Sequence, residues 1–112
     1  MAKEIIHHKI VRNNIPALLE QKKITATTRV LTDNLEIEWA LTKKLAEETQ
    51  EFIAAAPAQQ LEELADVLEV IHAILATKNI PFEVLEQMRL DKKHRNGSFS
   101  HNIFLIKTVE QG

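Results

Sequence analysis

Five carboxylates in two short stretches have the types and spacing to hold a divalent cation. KLAEETQEF (residues 44–52) supplies Glu47, Glu48 and Glu51, and EELADVLEVI (residues 62–71) supplies Glu63 and Asp66. On a helix advancing about 100° per residue, Glu47, Glu48 and Glu51 fall within roughly 60° of Lys44, on one narrow stripe. Leu41, Leu45 and Phe52 border that stripe. In the second stretch Glu63 points between Val70 and Ile74, and Asp66 lies about 60° further round. Glu62 and Glu69 turn toward solvent.

Such a stripe repels itself. Glu47/Glu51 at i,i+4 and Glu48/Glu51 at i,i+3 each cost about 0.2–0.5 kcal/mol on an exposed helix. Beside an apolar seam the cost is larger unless positive charge is present. Lys43 and Lys44 precede their glutamates, the weaker order for helical ion pairs. A bound ion is the economical source of charge. Carboxylates without cysteine favour a hard, oxygen-seeking ion, Mg²⁺ or Mn²⁺, over zinc. A solvated acidic face has the same spacing, so that alternative stays open at this level.

The elements that must position these residues read as helices. Residues 14–22 form a short one with Pro16 in its first turn. Residues 32–56 form a long helix, with Asp33 as N-cap and Glu36 completing a capping-box pattern. Pro57 stops it and opens a second long helix over residues 58–78, whose apolar face is built from Leu61, Leu64, Val67, Leu68, Ile71, Ile74 and Leu75. Pro81 opens a third, residues 82–95, ended at Asn96-Gly97. Residues 25–31 read as a short strand or extended link, and residues 102–107 (NIFLIK) as a short terminal strand. The expected fold class is all-α, a single domain over residues 1–112 with short extended N- and C-terminal segments. One helical hairpin buries a thin core in a chain of 112 residues. Pairing of hairpins into a four-helix bundle, in a homodimer or homotetramer, answers that shortage.

Composition narrows the class. Hydrophobic residues at 45% and charged residues at 27% suit a folded chain. The absence of cysteine excludes a disulfide framework, a thiolate metal site and a cysteine nucleophile. No apolar run approaches the roughly 20 residues of a membrane span, and the opening residues lack a signal-like apolar core. A soluble, cytoplasmic protein without membrane partners is expected. A formal net charge of −2 gives no global basic field for nucleic acid. Locally the charge is polarised. Residues 45–77 carry seven acids and no Lys or Arg, whereas Arg89, Lys92, Lys93 and Arg95 face only Asp91.

The two acidic stretches together resemble the EExxE…ExxD signature of the MazG-like all-α nucleoside triphosphate pyrophosphohydrolases. KIVRNNIPALL (residues 9–19) and KKHRNGSFSHNIFL (residues 92–105) are similar to the entry and C-terminal motifs of the small single-domain branch related to phosphoribosyl-ATP pyrophosphohydrolase. The resemblance implies Mg²⁺-dependent hydrolysis between the α- and β-phosphates, giving a nucleoside monophosphate and pyrophosphate. It also implies a helical homodimer or dimer of dimers. By position, Glu47, Glu48, Glu51 and Asp66 match metal-binding carboxylates, and Glu63 matches a ligand or the residue orienting the attacking water. Asn13, Asn14, His94 and Asn96 depart from the branch pattern, which touches substrate contacts and not the acidic cluster.

The implied chemistry suits the residue types. Four or five carboxylates exceed what one Mg²⁺ takes from protein, so two or more ions are expected. Glu48 and Glu63 are the candidate catalytic residues. Lys44, Arg89, Lys92, Lys93, Arg95 and Arg12, with Lys9 a weaker candidate, are expected to hold the polyphosphate. A nucleotide-pool cleansing role leads; phosphoribosyl-ATP hydrolysis and a non-catalytic helical interaction module are the alternatives. His7-His8 is discounted as a metal site, His72 and the tail residues Phe99 and Phe104 read as packed, and Trp39 as an interface residue.

Overall fold

The structure, a computed structural model, describes residues 3–112. Four helices account for its regular structure: α1 (Ile15–Gln21), α2 (Asn34–Ala54), α3 (Gln60–Thr77) and α4 (Phe82–Asn96). A single 3-10 turn, Pro57–Gln59, leads into α3. Among the described residues there is no strand. Two compact units divide the chain, the first ending at Ile80 and the second running Pro81–Gly112.

Local chemistry sets the helix limits. The Asp33 carboxylate accepts from the Glu36 N–H at 3.3 Å and caps α2. The Glu36 side chain does not complete a capping box; it takes a two-pronged hydrogen bond from Arg29 at 2.9 and 3.1 Å. An exposed fork of this kind outcompetes the reach back to the cap. At the other end Ala55 is extended and Pro57 begins the next turn, so α2 cannot continue through it. α3 closes with a Schellman pattern: Ile80 N–H donates to the Leu75 carbonyl at 3.0 Å and Asn79 N–H to Ala76 at 3.1 Å. Asn79 takes the left-handed conformation this requires, at φ 56°. Asparagine tolerates that region better than most side chains.

α2 and α3 pack against each other as an antiparallel pair. Lys78 at the end of α3 reaches Glu38 near the start of α2 at 3.4 Å, and the acidic stretches meet toward the other end. Among the described residues Ala40, Leu41 and Val70 are the buried apolar ones, and Ile37, Leu45, Phe52, Val67, Ile71 and Ile74 are half-buried. The face of α3 that meets α2 is therefore centred on Val70. Leu61, Leu64 and Leu68, expected in that face, are exposed, Leu61 to 79%. α3 is apolar around more than half of its circumference, and only one side can face a single partner helix. On α2, Leu35, Trp39 and Ile53 are likewise exposed.

Residues 3–12 lack regular structure, and Ile10 and Val11 among them are half-buried. Of the short strand or extended link expected at residues 25–31, the structure has the link.

In the second unit α4 ends at Gly97, whose φ 86° and ψ 175° suit glycine alone. Lys93, His94 and Arg95 occupy its last turn, where the helix dipole favours positive charge. NIFLIK is not a strand: a strand needs a neighbour to complete its ladder, and none lies among the described residues. Phe99 and Phe104 are exposed rather than packed, and His72 in the first unit lies on the exposed side of α3.

Candidate metal centre

α2 presents Glu47, Glu48 and Glu51 on successive turns of one stripe, and α3 presents Glu63 and Asp66. The hairpin merges them into two overlapping triads. In each, Glu47/Glu48/Glu51 and Glu48/Glu63/Asp66, one carboxylate oxygen per residue lies within 4.8 Å of the others. Glu48 belongs to both. Oxygens sharing an ion at about 2.1 Å stand no more than about 4.2 Å apart, so small side-chain rotations would close either group.

Glu48 is the pivot of the arrangement. It is only 6% exposed, the one buried charged residue among those described. One of its oxygens, Oε1, lies 3.2 Å from the Lys44 ammonium. The other, Oε2, is buried without a hydrogen-bond partner, and so is Oε2 of Glu63. Orphaned buried carboxylate oxygens are costly. A divalent cation would satisfy two of them in one triad, and the all-oxygen donor set fits Mg²⁺ or Mn²⁺.

Protonation follows the crowding. A hydrogen bond shared with Glu48 is the main reason that the Glu51 carboxyl is held above its ordinary value, with burial and the charges of Glu48, Glu47 and Glu63 adding to the effect. Burial is the largest single influence on Glu47 and pushes it upward. Hydrogen bonds and charge from Lys9 and Lys44 together outweigh burial and leave Glu47 below its ordinary value. Lys44 mirrors this. Burial opposes its charge most strongly, and Glu48 and Glu47 overcome it.

Cations from outside the acidic stretch complete the centre. Lys9 Nζ lies 3.1 Å from Glu47 Oε1, and the Arg12 guanidinium donates to Asp66 Oδ1 at 2.7 Å. Lys44 also approaches Glu47, at 3.4 Å. Thus Arg12, Lys44 and Lys9 all reach the carboxylates, Lys9 as directly as the other two. The visible sequence signal is the i,i+3 spacing of Lys9 and Arg12 astride two apolar residues. Arg89 is engaged by Glu86 of its own helix, and Lys92, Lys93 and Arg95 are exposed on α4. His7 and His8 are exposed and join neither triad. Trp39 is exposed with the Lys43 ammonium 4.9 Å from its ring centroid.

The facing carboxylates of this antiparallel hairpin, with Glu48 shared between two triads, form a candidate site for a divalent cation. Comparison by sequence is more specific: residues 13–94 match the phosphoribosyl-ATP pyrophosphohydrolase family, and the chain belongs to that family. The match spans both acidic stretches. A search of curated proteins and one of solved structures returned no significant match. Membership carries pyrophosphohydrolase activity on nucleotides and, typically, a metal requirement. None of the helices is long and apolar enough to cross a membrane.

Proposed function

We propose that this chain hydrolyses a nucleoside triphosphate between its α- and β-phosphates, releasing a nucleoside monophosphate and pyrophosphate with Mg²⁺ as cofactor. The observation that carries this reading is the pair of orphaned, buried oxygens of Glu48 and Glu63 inside overlapping carboxylate triads. Glu47, Glu48, Glu51 and Asp66 would hold two or more ions, with Mn²⁺ an acceptable substitute. Bound there, such ions supply positive charge against phosphate oxygens and ease the loss of a proton from the attacking water.

The protein's own groups do the remainder. Glu48 anchors both triads, and its burial keeps their geometry fixed through Lys44. Glu63, half-buried with one oxygen free, either joins the ligands or accepts the proton of the attacking water. Arg12 and Lys44, which already reach these carboxylates, would neutralise the polyphosphate and the leaving pyrophosphate. No covalent nucleophile is required. The family match crosses from the first compact unit into the second, which supports a single functional domain over residues 1–112.

The family description itself favours a second reading, in which phosphoribosyl-ATP is the substrate and the chemistry is the same. Pyrophosphate release from common triphosphates, damaged triphosphates and phosphoribosyl-ATP, each with and without Mg²⁺, tests both. Release from phosphoribosyl-ATP alone would replace the first reading with the second. Failure with every nucleotide would leave the scaffold a non-catalytic helical module.

The exposed leucines of α3 and the exposed Leu35, Trp39 and Ile53 of α2 support assembly through these faces into a homodimer or homotetramer. Such a four-helix bundle would enlarge the thin core of Ala40, Leu41 and Val70. A cytoplasmic location accords with the cysteine-free composition.

A further inference from the structure

Two cations from one short segment lie on the two acidic triads. Lys9 reaches Glu47 of the first and Arg12 reaches Asp66 of the second, although they are 38 and 54 residues away in sequence. Ile10 and Val11 are half-buried, whereas the charged tip of Arg12 is exposed, its side chain at 55%, with room to exchange its partner.

Charge explains why both states of the tip would be favourable. Without metal, five carboxylates face three ammonium or guanidinium groups, so Lys9, Lys44 and Arg12 offset most of the repulsion. With two divalent ions present the same cations become surplus. A polyphosphate arriving at that moment carries about four negative charges and offers better partners. Lys44, held between Glu47 and Glu48 with its side chain 15% exposed, lacks that freedom.

We infer that Arg12, and Lys9 beside it, are exchangeable counter-ions. They hold the metal-binding carboxylates in the metal-free protein and transfer to the phosphates of a polyphosphate ligand once metal is bound. This rests on the metal-centre reading above and adds to it a competition: the two residues oppose metal binding and favour phosphate binding. A residue that merely braced Asp66 would do the opposite, because its loss would weaken the metal site.

Mn²⁺ binding to the full chain, followed by calorimetry without nucleotide, tests this directly. Arg12→Ala should tighten Mn²⁺ binding about three- to tenfold, the range for losing an exposed, charge-assisted pair. Inorganic pyrophosphate binding at saturating Mn²⁺ should weaken at least about tenfold, since a charged hydrogen bond to phosphate is lost. Arg12→Lys should return both values toward wild type. Lys9→Ala should act in the same two directions. Arg29→Ala, which removes equal charge beside Glu36 and away from the triads, should change neither. Unchanged or weaker Mn²⁺ binding by Arg12→Ala would overturn the exchange while leaving the metal centre intact, as would unchanged pyrophosphate binding. Absence of Mn²⁺ binding by the wild-type protein would overturn the metal centre itself.

Discussion

Replacing Glu48 by glutamine should stabilise the metal-free protein and destabilise the metal-loaded one. Glu48 is buried among Glu47, Glu51 and Glu63, and its Oε2 has no partner. An amide keeps an acceptor for Lys44, removes one charge, and turns the orphaned position into a donor able to meet a neighbouring carboxylate. A buried unsatisfied acceptor costs about 1–3 kcal/mol. Loss of the Lys44 ion pair offsets part of that, leaving a net gain of ~1 kcal/mol, or roughly 4 °C in melting temperature for a chain of this size. Metal reverses the sign. At 100 times its dissociation constant, a ligand adds about 2.7 kcal/mol, close to 10 °C here. Glu48→Gln withdraws the carboxylate common to both triads and should abolish nearly all of that increment, together with turnover. Thermal melts of both proteins, in chelator and in a Mn²⁺ series, should therefore cross. A variant that melts lower than wild type in chelator, or that gains the full Mn²⁺ increment, would refute the reasoning; near-normal turnover would refute the catalytic assignment.

Glu63→Gln should lower kcat by about 10²-fold or more if Glu63 takes the water's proton, with a smaller loss of Mn²⁺ affinity than Glu48→Gln; equal losses would make it a ligand only. Glu51, held high by its hydrogen bond to Glu48, keeps its proton into a higher pH range than a free glutamate. Its contribution to metal-free stability is thus present below the unfolded value and is lost as pH rises through the folded one. Mn²⁺ affinity runs the other way, falling as pH drops, and Glu51→Gln should flatten the upper part of that fall in calorimetric titrations. Light scattering should find the wild-type chain self-associated, as proposed, and Leu64→Asp with Leu68→Asp monomeric, since both leucines lie on the exposed stripe of α3; a monomeric wild type would refute the assembly. Asn79→Ala should cost about 1 kcal/mol in a denaturant melt, because alanine strains the left-handed position that closes α3.

Arrangement along the chain was legible without coordinates. Helical periodicity, the Asp33 cap, the break at Pro57, the start at Pro81 and the stop at Asn96-Gly97 place the helices within a few residues of those observed. The spacing of Glu47, Glu48 and Glu51 put them on one stripe because the pitch of an α-helix is set by its own backbone hydrogen bonds. The same locality explains the failures. NIFLIK has strand-forming side chains, but a strand is completed by a neighbour that local sequence does not encode. Glu36 fitted a capping box until Arg29, seven residues away, took its carboxylate.

Which side of each helix faces inward was a tertiary matter. α3 has apolar residues around more than half of its surface, and periodicity alone favoured its leucines as the inner face. Packing on α2 selected Val70 instead and left Leu61, Leu64 and Leu68 outside. That rotation brings Glu63 and Asp66 to Glu48, buries Glu48, and lets Lys9 and Arg12 reach carboxylates far along the chain. Sequence alone determined the kinds of charge and their spacing along each helix, because these depend on neighbours a few residues apart. Convergence of two helices on one buried carboxylate, and the reach of Lys9 and Arg12 to its neighbours, depend on distances through space that only the folded chain defines.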